Sequence, residues 1–374
     1  MQKLTNYMEN NSKGYLVLIF ISIVFLIFSI TIYIKNSPIS KSTSPAEINE
    51  EICKTLSFEN DNSINIVFLS SEEKALKYKD FFLKTEPFSE HKNSFNFYLY
   101  EIDPECETYK GIALYCANKK NILYASNCPN DLTIAIPEGA AYNLRSSADG
   151  TFSSINPSHP LTVLTHEIGH ALGNLAEEYF PASLARGSKN CKTKCEKFEG
   201  KEDSCNLGCS RENYLRSINN GVMRTLQNNN YGNYNKLLLE EIIKREGSQI
   251  TGKAIRDVNN KPDSFFYFLE IAGGEISSAE KVQGYASTKD FNVGTDGYKL
   301  SSKETEIFSK SENNLQIFTD GLLPDDTLIG EIYTPESYYL TVPATQATEL
   351  KVIENNKVTD TMELQNIGYG ACEI

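Results

Sequence analysis

The amino-acid sequence predicts an α/β domain followed by a C-terminal antiparallel β domain, with one N-terminal transmembrane helix before them. Three observations support this fold class: a strand–helix–strand order after residue 62, a change to short strands and turns beyond about residue 250, and an apolar stretch near the start. The predicted organisation is a short tail at 1–14, a transmembrane signal anchor at 15–34, a stalk at 35–62, an α/β domain at 63–250 and a small β-rich domain at 251–374.

The apolar stretch from Tyr15 to Ile34 contains no charged residue. As a helix its twenty residues would rise about 30 Å, which matches the hydrocarbon thickness of a bilayer. The stretch exceeds the apolar core of a typical signal peptide, and no convincing cleavage site follows it. The sequence therefore predicts an uncleaved anchor of a single-pass protein in the cell membrane.

The predicted side of the membrane rests on the cysteines, because the lysines that flank the span are balanced. All nine cysteines lie beyond the span, which is typical of an oxidising, extracellular environment. The region beyond the span is therefore expected outside the cytoplasm.

The α/β domain is predicted from a regular succession of periodic segments. Two apolar, β-branched runs, Ser63–Ser70 and Phe95–Ile102, indicate buried strands, and Ser71–Lys84 between them has a helical pattern. Asp131–Ile136 indicates a third strand, which Pro137 ends.

Two further helices and a set of short strands complete the predicted elements. Leu161–Ala176 has an apolar stripe at helical spacing, and Leu237–Glu246 has another. Beyond residue 250, apolar runs alternate with Gly, Asn, Asp and Pro turns, which favours antiparallel strands. These runs are Phe265–Ile271, Leu315–Thr319 and Tyr338–Val342.

The chain is acidic, with 36 Lys and Arg against 49 Asp and Glu and a net charge of -13. A nucleic-acid-binding protein would present a basic surface, so no nucleic-acid partner is expected. Hydrophobic residues make up 40% of the chain, enough for packed domains rather than general disorder.

The strongest chemical motif lies in the helix predicted at Leu161–Ala176. His166 and His170 are four residues apart, so both imidazoles project from one helix face and can bind one metal ion. Glu167 lies beside them, where a carboxylate can accept a proton from zinc-activated water. The chain has only four histidines, so two of them would rarely occur at this spacing by chance.

The spacing of the residues does not decide which residue is the third zinc ligand. Gly173 is predicted to end the helix, and the sixth position after the second histidine is Ala176 rather than a third histidine. Glu177 and Glu178 follow directly, so a carboxylate ligand is the economical prediction, while His159 is the alternative.

Several segments together resemble the IgA-peptidase family of zinc metallopeptidases. The His-Glu-x-x-His helix is followed by Glu177-Glu178-Tyr179, which is similar to the family's Asp-Glu-Tyr. INIVFLS followed by FFLKTEPFSEHKNSFNFYLYEID resembles its opening region, and Asn220-Gly221-Val222-Met223-Arg224 resembles its methionine turn. The resemblance covers about half of the chain, roughly Ser63 to Gly247.

The resemblance implies a metzincin-like fold, hydrolysis of peptide bonds, one catalytic Zn²⁺ ion and Met223 in a methionine turn. Glu177 stands where the family commonly has Asp, whereas Glu178 matches it, which favours Glu178 as the third ligand.

The predicted function is that of a zinc-dependent endopeptidase acting on a polypeptide substrate, with Glu167 as general base. Tyr179 is a candidate to donate a hydrogen bond to the developing oxyanion, or else an ordinary packing ring. Two alternatives remain: a zinc hydrolase of another cell-envelope amide, and a non-catalytic surface binding protein on the same scaffold. The sequence predicts no oligomeric state.

The cysteines predict disulfides. Four of them have Cys-x3-Cys spacing, and in an oxidising environment two disulfides are favoured over a structural zinc knuckle; they are Cys191, Cys195, Cys205 and Cys209. Another bridge is expected among Cys106, Cys116 and Cys128, with the pairing undetermined. The odd count predicts at least one unpaired thiol, at Cys372 or Cys53.

Overall fold

The protein is described here by a computed structural model. It describes residues 52–248, 265–291, 296–302, 305–311, 316–322, 328–364 and 367. All of these residues belong to one compact unit, which runs from Pro45 to Ile374.

The described chain is mainly β-sheet, so the predicted α/β fold class is wrong. Strand accounts for 36% of the described residues and helix for 20%. The prediction failed because several strands have only three or four residues, too few to show a period of two, and because half of the main sheet is antiparallel.

The elements have the following bounds. The described residues form four α-helices: α1 (Glu72–Phe82), α2 (Lys119–Ala125), α3 (Thr162–Gly173) and α4 (Asn233–Ser248). They also form nineteen strands, of which the first ten are β1 (Cys53–Ser57), β2 (Ile64–Ser70), β3 (Phe95–Glu101), β4 (Glu107–Tyr109), β5 (Ala113–Tyr115), β6 (Leu132–Ala135), β7 (Ser147–Asp149), β8 (Phe152–Ser154), β9 (Asn206–Cys209) and β10 (Arg211–Arg216). The remaining strands are β11 (Phe265–Ala272), β12 (Glu275–Gln283), β13 (Gly297–Ser302), β14 (Thr305–Ser311), β15 (Ile317–Leu322), β16 (Leu328–Tyr333), β17 (Ser337–Pro343), β18 (Glu349–Glu354) and β19 (Lys357–Glu363).

An eight-stranded mixed sheet supports the candidate site. Its strand order is β1-β3-β2-β6-β8-β7-β15-β16. The β3, β2, β6 and β8 strands pair in parallel, and the remaining neighbours pair antiparallel. The last two strands come from residues 317–333, so the sheet includes segments from both sides of the predicted boundary at residue 250.

The main sheet is buried on both faces, which explains why its strands are continuous apolar runs. Along β2, Ile66 and Phe68 face a cluster shared with α1, α3 and α4, whereas Val67 and Leu69 face a second cluster shared with α2. The first cluster contains the buried side of α3, so the helix that carries the histidines is fixed to the sheet.

The other large β region consists of two antiparallel sheets, β12-β11-β17 and β14-β13-β18-β19. Their inner faces share one apolar cluster, which includes Leu269, Leu300, Leu340 and Leu350. Two of the predicted C-terminal runs, Phe265–Ile271 and Tyr338–Val342, lie in this small sandwich, whereas the run predicted at Leu315–Thr319 belongs to β15 of the main sheet.

The predicted single-pass membrane localisation is not supported. Among the described residues, none of the helices is both long and apolar enough to cross a bilayer. The predicted anchor, Tyr15–Ile34, lies outside the residues that the structure describes, as do the tail before it and most of the predicted stalk.

Four disulfides are present, which confirms the preference for disulfides over a zinc knuckle. Two of them lie between α3 and α4 in the sequence, where the Cys191–Cys209 bond encloses the Cys195–Cys205 bond. The other two, Cys53–Cys128 and Cys106–Cys116, lie near α2. Cys53 is therefore paired, contrary to one of the two predictions for a free thiol, and Cys372 lies outside the described residues. Four disulfides fit an extracellular location.

Candidate metal centre

Helix α3 holds the two histidines of the motif in the interior. Every residue from Val163 to Leu172 is buried, and the side chains of His166 and His170 are 4% and 1% exposed. Imidazoles this deeply buried need partners for both ring nitrogens. The helix begins one residue later and ends three residues earlier than predicted, but the histidines lie on one face as expected.

Backbone carbonyls fix the orientation and the proton of both rings. His166 Nδ1 lies 2.9 Å from the carbonyl oxygen of Val222, and His170 Nδ1 lies 2.6 Å from that of Leu175. A carbonyl only accepts, so each Nδ1 carries the hydrogen, and in the neutral imidazole each Nε2 then keeps its lone pair. The two Nε2 atoms lie 3.1 Å apart, so two lone pairs face one point.

Glu177 completes the cluster. After Gly173 the chain turns at Asn174, whose φ of 46° is left-handed, and then runs back past the end of the helix. Glu177 Oε1 thereby lies 2.9 Å from His170 Nε2 and 3.4 Å from His166 Nε2. Asn174, rather than the predicted glycine, is the residue that makes this turn.

The three atoms fit a zinc ion by spacing and by chemistry. Ligands about 2.1 Å from a tetrahedral zinc ion lie roughly 3.4 Å from one another, close to the distances among these three atoms. Two neutral imidazoles and a carboxylate are all acceptors, so a cation is the partner that satisfies them together. Glu177 Oε2 is buried and has no hydrogen-bond partner among the described residues.

Glu178 points elsewhere. Its Oε1 accepts a hydrogen bond of 2.7 Å from Asn235 Nδ2 and a longer one from Asn190 Nδ2, at 3.4 Å. Burial raises its pKa to about 7, although both amides act in the opposite direction. The structure thus brings Glu177 to the histidines, and it places Glu178, the carboxylate favoured by the sequence resemblance, in a separate amide cradle.

The residues predicted from Asn220 to Arg224 form the base of the site. Met223 is fully buried, and a Cβ built on Gly169 would lie 2.5 Å from its sulfur, so the helix and this side chain are in direct contact. The Met223 carbonyl accepts a hydrogen bond from the Glu178 amide at 2.9 Å, and the preceding carbonyl is the acceptor of His166 Nδ1. This geometry is compatible with the methionine turn suggested by the resemblance.

An open cleft of about 660 Å³ reaches His166. Tyr179, a candidate oxyanion donor, also lines this cleft and is 7% exposed. His159, the alternative ligand, lines the same cleft, but its Nε2 contacts the Tyr142 carbonyl at 3.0 Å instead of joining the cluster. Glu167 is buried beside the first histidine, at 3% exposure.

Two contributors to the site come from the paired strands β15 and β16, and no sequence motif indicated them. The Phe318 ring stacks on the His170 ring, with centroids 4.3 Å apart and planes at 21°. A Cβ on Gly330 would lie 2.8 Å from Glu177 Cγ and 2.6 Å from the Tyr179 hydroxyl, so only glycine allows this close approach. The separation of about 150 residues between ring and histidine explains why periodicity could not identify them.

No known family model matches this chain, and no curated protein is similar enough to count as a relative. The proposed function therefore rests on the geometry of the site and on the sequence motifs.

Proposed function

We propose that this chain is a zinc-dependent peptidase in which His166, His170 and Glu177 bind the ion and Glu167 acts as general base. The observation that carries the proposal is the convergence of two imidazole lone pairs and one carboxylate oxygen within 3.4 Å of one another in the interior. A bound zinc ion would polarise the scissile carbonyl and make water nucleophilic at neutral pH.

The chain's own residues supply the remaining steps. Glu167 accepts a proton from the attacking water through its carboxylate and delivers it to the leaving amine. Tyr179, which lines the cleft, is the candidate donor of a hydrogen bond to the oxyanion. The hydrogen bonds from the Nδ1 atoms to backbone carbonyls keep the two rings in the binding tautomer.

The cleft supports a polymeric substrate, since it is open and lined by both polar and apolar side chains. A place in the IgA-peptidase family is part of the same proposal and rests on the motifs between Ser63 and Gly247. Four disulfides support action outside the cytoplasm.

The test separates metal binding from catalysis. Purified full-length protein is expected to contain one zinc per chain and to hydrolyse unstructured polypeptides such as denatured casein. Glu167→Gln should retain the zinc and lose activity by at least about 100-fold, which is the contribution of a positioned base. Glu212→Gln, a change of the same type at an exposed glutamate of β10, serves as the control.

Two results would refute the proposal. One is protein that binds no divalent ion after reconstitution. The other is undiminished hydrolysis by Glu167→Gln.

A further inference from the structure

The cleft beside His166 is basic, although the chain as a whole has a net charge of -13. Of the described residues that line it, two are arginines, Arg145 and Arg224, and none is acidic. A basic cleft in an acidic protein selects for negatively charged groups, because a concave surface lined by charges of one sign concentrates their electric field.

Arg145 is held in place by its backbone and has an unsatisfied charge. Its amide donates to the Ile112 carbonyl at 2.9 Å, and its own carbonyl accepts from the Leu114 amide at 2.7 Å. The side chain is half-buried, and no carboxylate in the described part of the chain lies within ion-pair distance of it. A partly desolvated guanidinium without a counter-charge is best satisfied by a ligand carboxylate, which it can bind through two parallel hydrogen bonds.

Arg224 adds a second positive charge on the same cleft. Its guanidinium donates to the Asn219 carbonyl at 2.6 Å, and its other hydrogen-bond partners are neutral amide oxygens. These contacts fix the side chain without neutralising its charge.

We propose that this cleft is a carboxylate-binding subsite, in which Arg145 and Arg224 hold an acidic group of the substrate. The proposal rests on the proposed peptidase function and adds a substrate class to it: peptides with a carboxylate close to the scissile bond. The carboxylate is either an Asp or Glu side chain or the free C-terminus of the peptide.

A binding experiment tests the subsite independently of turnover. The full-length Glu167→Gln protein is titrated against fluorescein-labelled hexapeptide pools and followed by fluorescence anisotropy. One pair of pools differs only in a central Asp or Asn, and a second pair only in a C-terminal carboxylate or amide. We expect roughly 10-fold or greater tighter binding for the acidic member of one pair, the value of a charge-assisted contact. The pair that shows the preference identifies the source of the carboxylate.

Variants in the same background connect the preference to the arginine. Arg145→Gln should abolish the preference for the acidic pool, Arg145→Lys should retain part of it, and Arg211→Gln, at an exposed arginine of β10, should leave it intact. Thermal unfolding of each variant shows whether the fold is preserved. Should Arg145→Gln unfold, Arg224→Gln gives the same contrast at the second charge.

The outcomes are distinct. Equal binding of both members in both pairs overturns the subsite. So does an acidic preference that survives Arg145→Gln and Arg224→Gln but disappears when zinc is chelated, because the ion itself would then hold the carboxylate. If zinc-loaded wild-type protein cleaves no peptide, the peptidase function fails, while the binding contrast still decides the subsite.

Discussion

At the scale of single residues, the two adjacent glutamates show that the groups around a carboxylate determine its chemical role. Glu177 meets two imidazole lone pairs, whereas Glu178 meets two side-chain amides, and both are fully buried. A carboxylate facing acceptors needs a cation, whereas one facing amide donors accepts hydrogen bonds, as Glu178 does through Oε1. The spacing of residues in the sequence could not reveal this difference. The difference depends on the direction in which each side chain points after the turn at Asn174.

Substitution by glutamine separates the two roles. Glu177→Gln should weaken zinc affinity by more than about 100-fold, because it replaces an anionic ligand by a neutral one. Glu178→Gln keeps an acceptor for Asn235 and should change zinc affinity by no more than about 10-fold. Competition with a chromophoric chelator measures both values. The opposite order of effects would identify Glu178 as the ligand.

At the scale of elements, the histidine helix and the buried strands were predictable from the sequence. Their periodicity is local, and β2, β3, β6 and α3 appear within a few residues of the predicted bounds. Pairing is not local: the short strands β7 and β8 and the position of β15 beside β7 depend on contacts between distant segments. The fold class was therefore wrong although most elements were right.

The β15 strand contributes directly to the site through Phe318, and this contribution is testable. Phe318→Ala should destabilise the fold by about 3–5 kcal/mol, the usual cost of truncating a buried aromatic side chain. It should also weaken zinc affinity by about 10-fold, because the His170 ring loses the surface that orients it.

Phe268→Ala is the matched control for this prediction. Phe268 is also 2% exposed and also stacks on a ring, that of Tyr339, but it lies in another apolar cluster. Chemical denaturation and zinc titration of both variants should show similar losses of stability but a loss of zinc affinity only in Phe318→Ala. Similar zinc affinities would mean that the stacked ring has no part in positioning the ligand.

At the scale of the whole molecule, disulfides link segments that are distant in sequence. Cys53–Cys128 closes a separation of 75 residues and Cys106–Cys116 one of 10, and both lie in the same apolar cluster. Each bond joins one fully buried and one partly buried cysteine, so the burial of the two pairs is comparable.

The two bonds should therefore differ in stabilisation through chain entropy. Replacing both cysteines of the long-range pair by alanine should cost about 4–5 kcal/mol, and replacing those of the short-range pair about 2.5–3 kcal/mol. Urea denaturation of the two double variants measures the difference. Equal losses would show that strain or residual structure in the unfolded chain, rather than loop length, determines the stabilisation.

The pairing of β15 with β7 also has a consequence for any shortened form of the protein. A chain cut near residue 250 would lose the hairpin at 317–333 and leave β7 as an open sheet border with its amide and carbonyl groups exposed to solvent. Such a fragment would retain all three candidate ligands, yet it would lose the Phe318 ring that stacks on His170 and would be prone to edge-to-edge self-association.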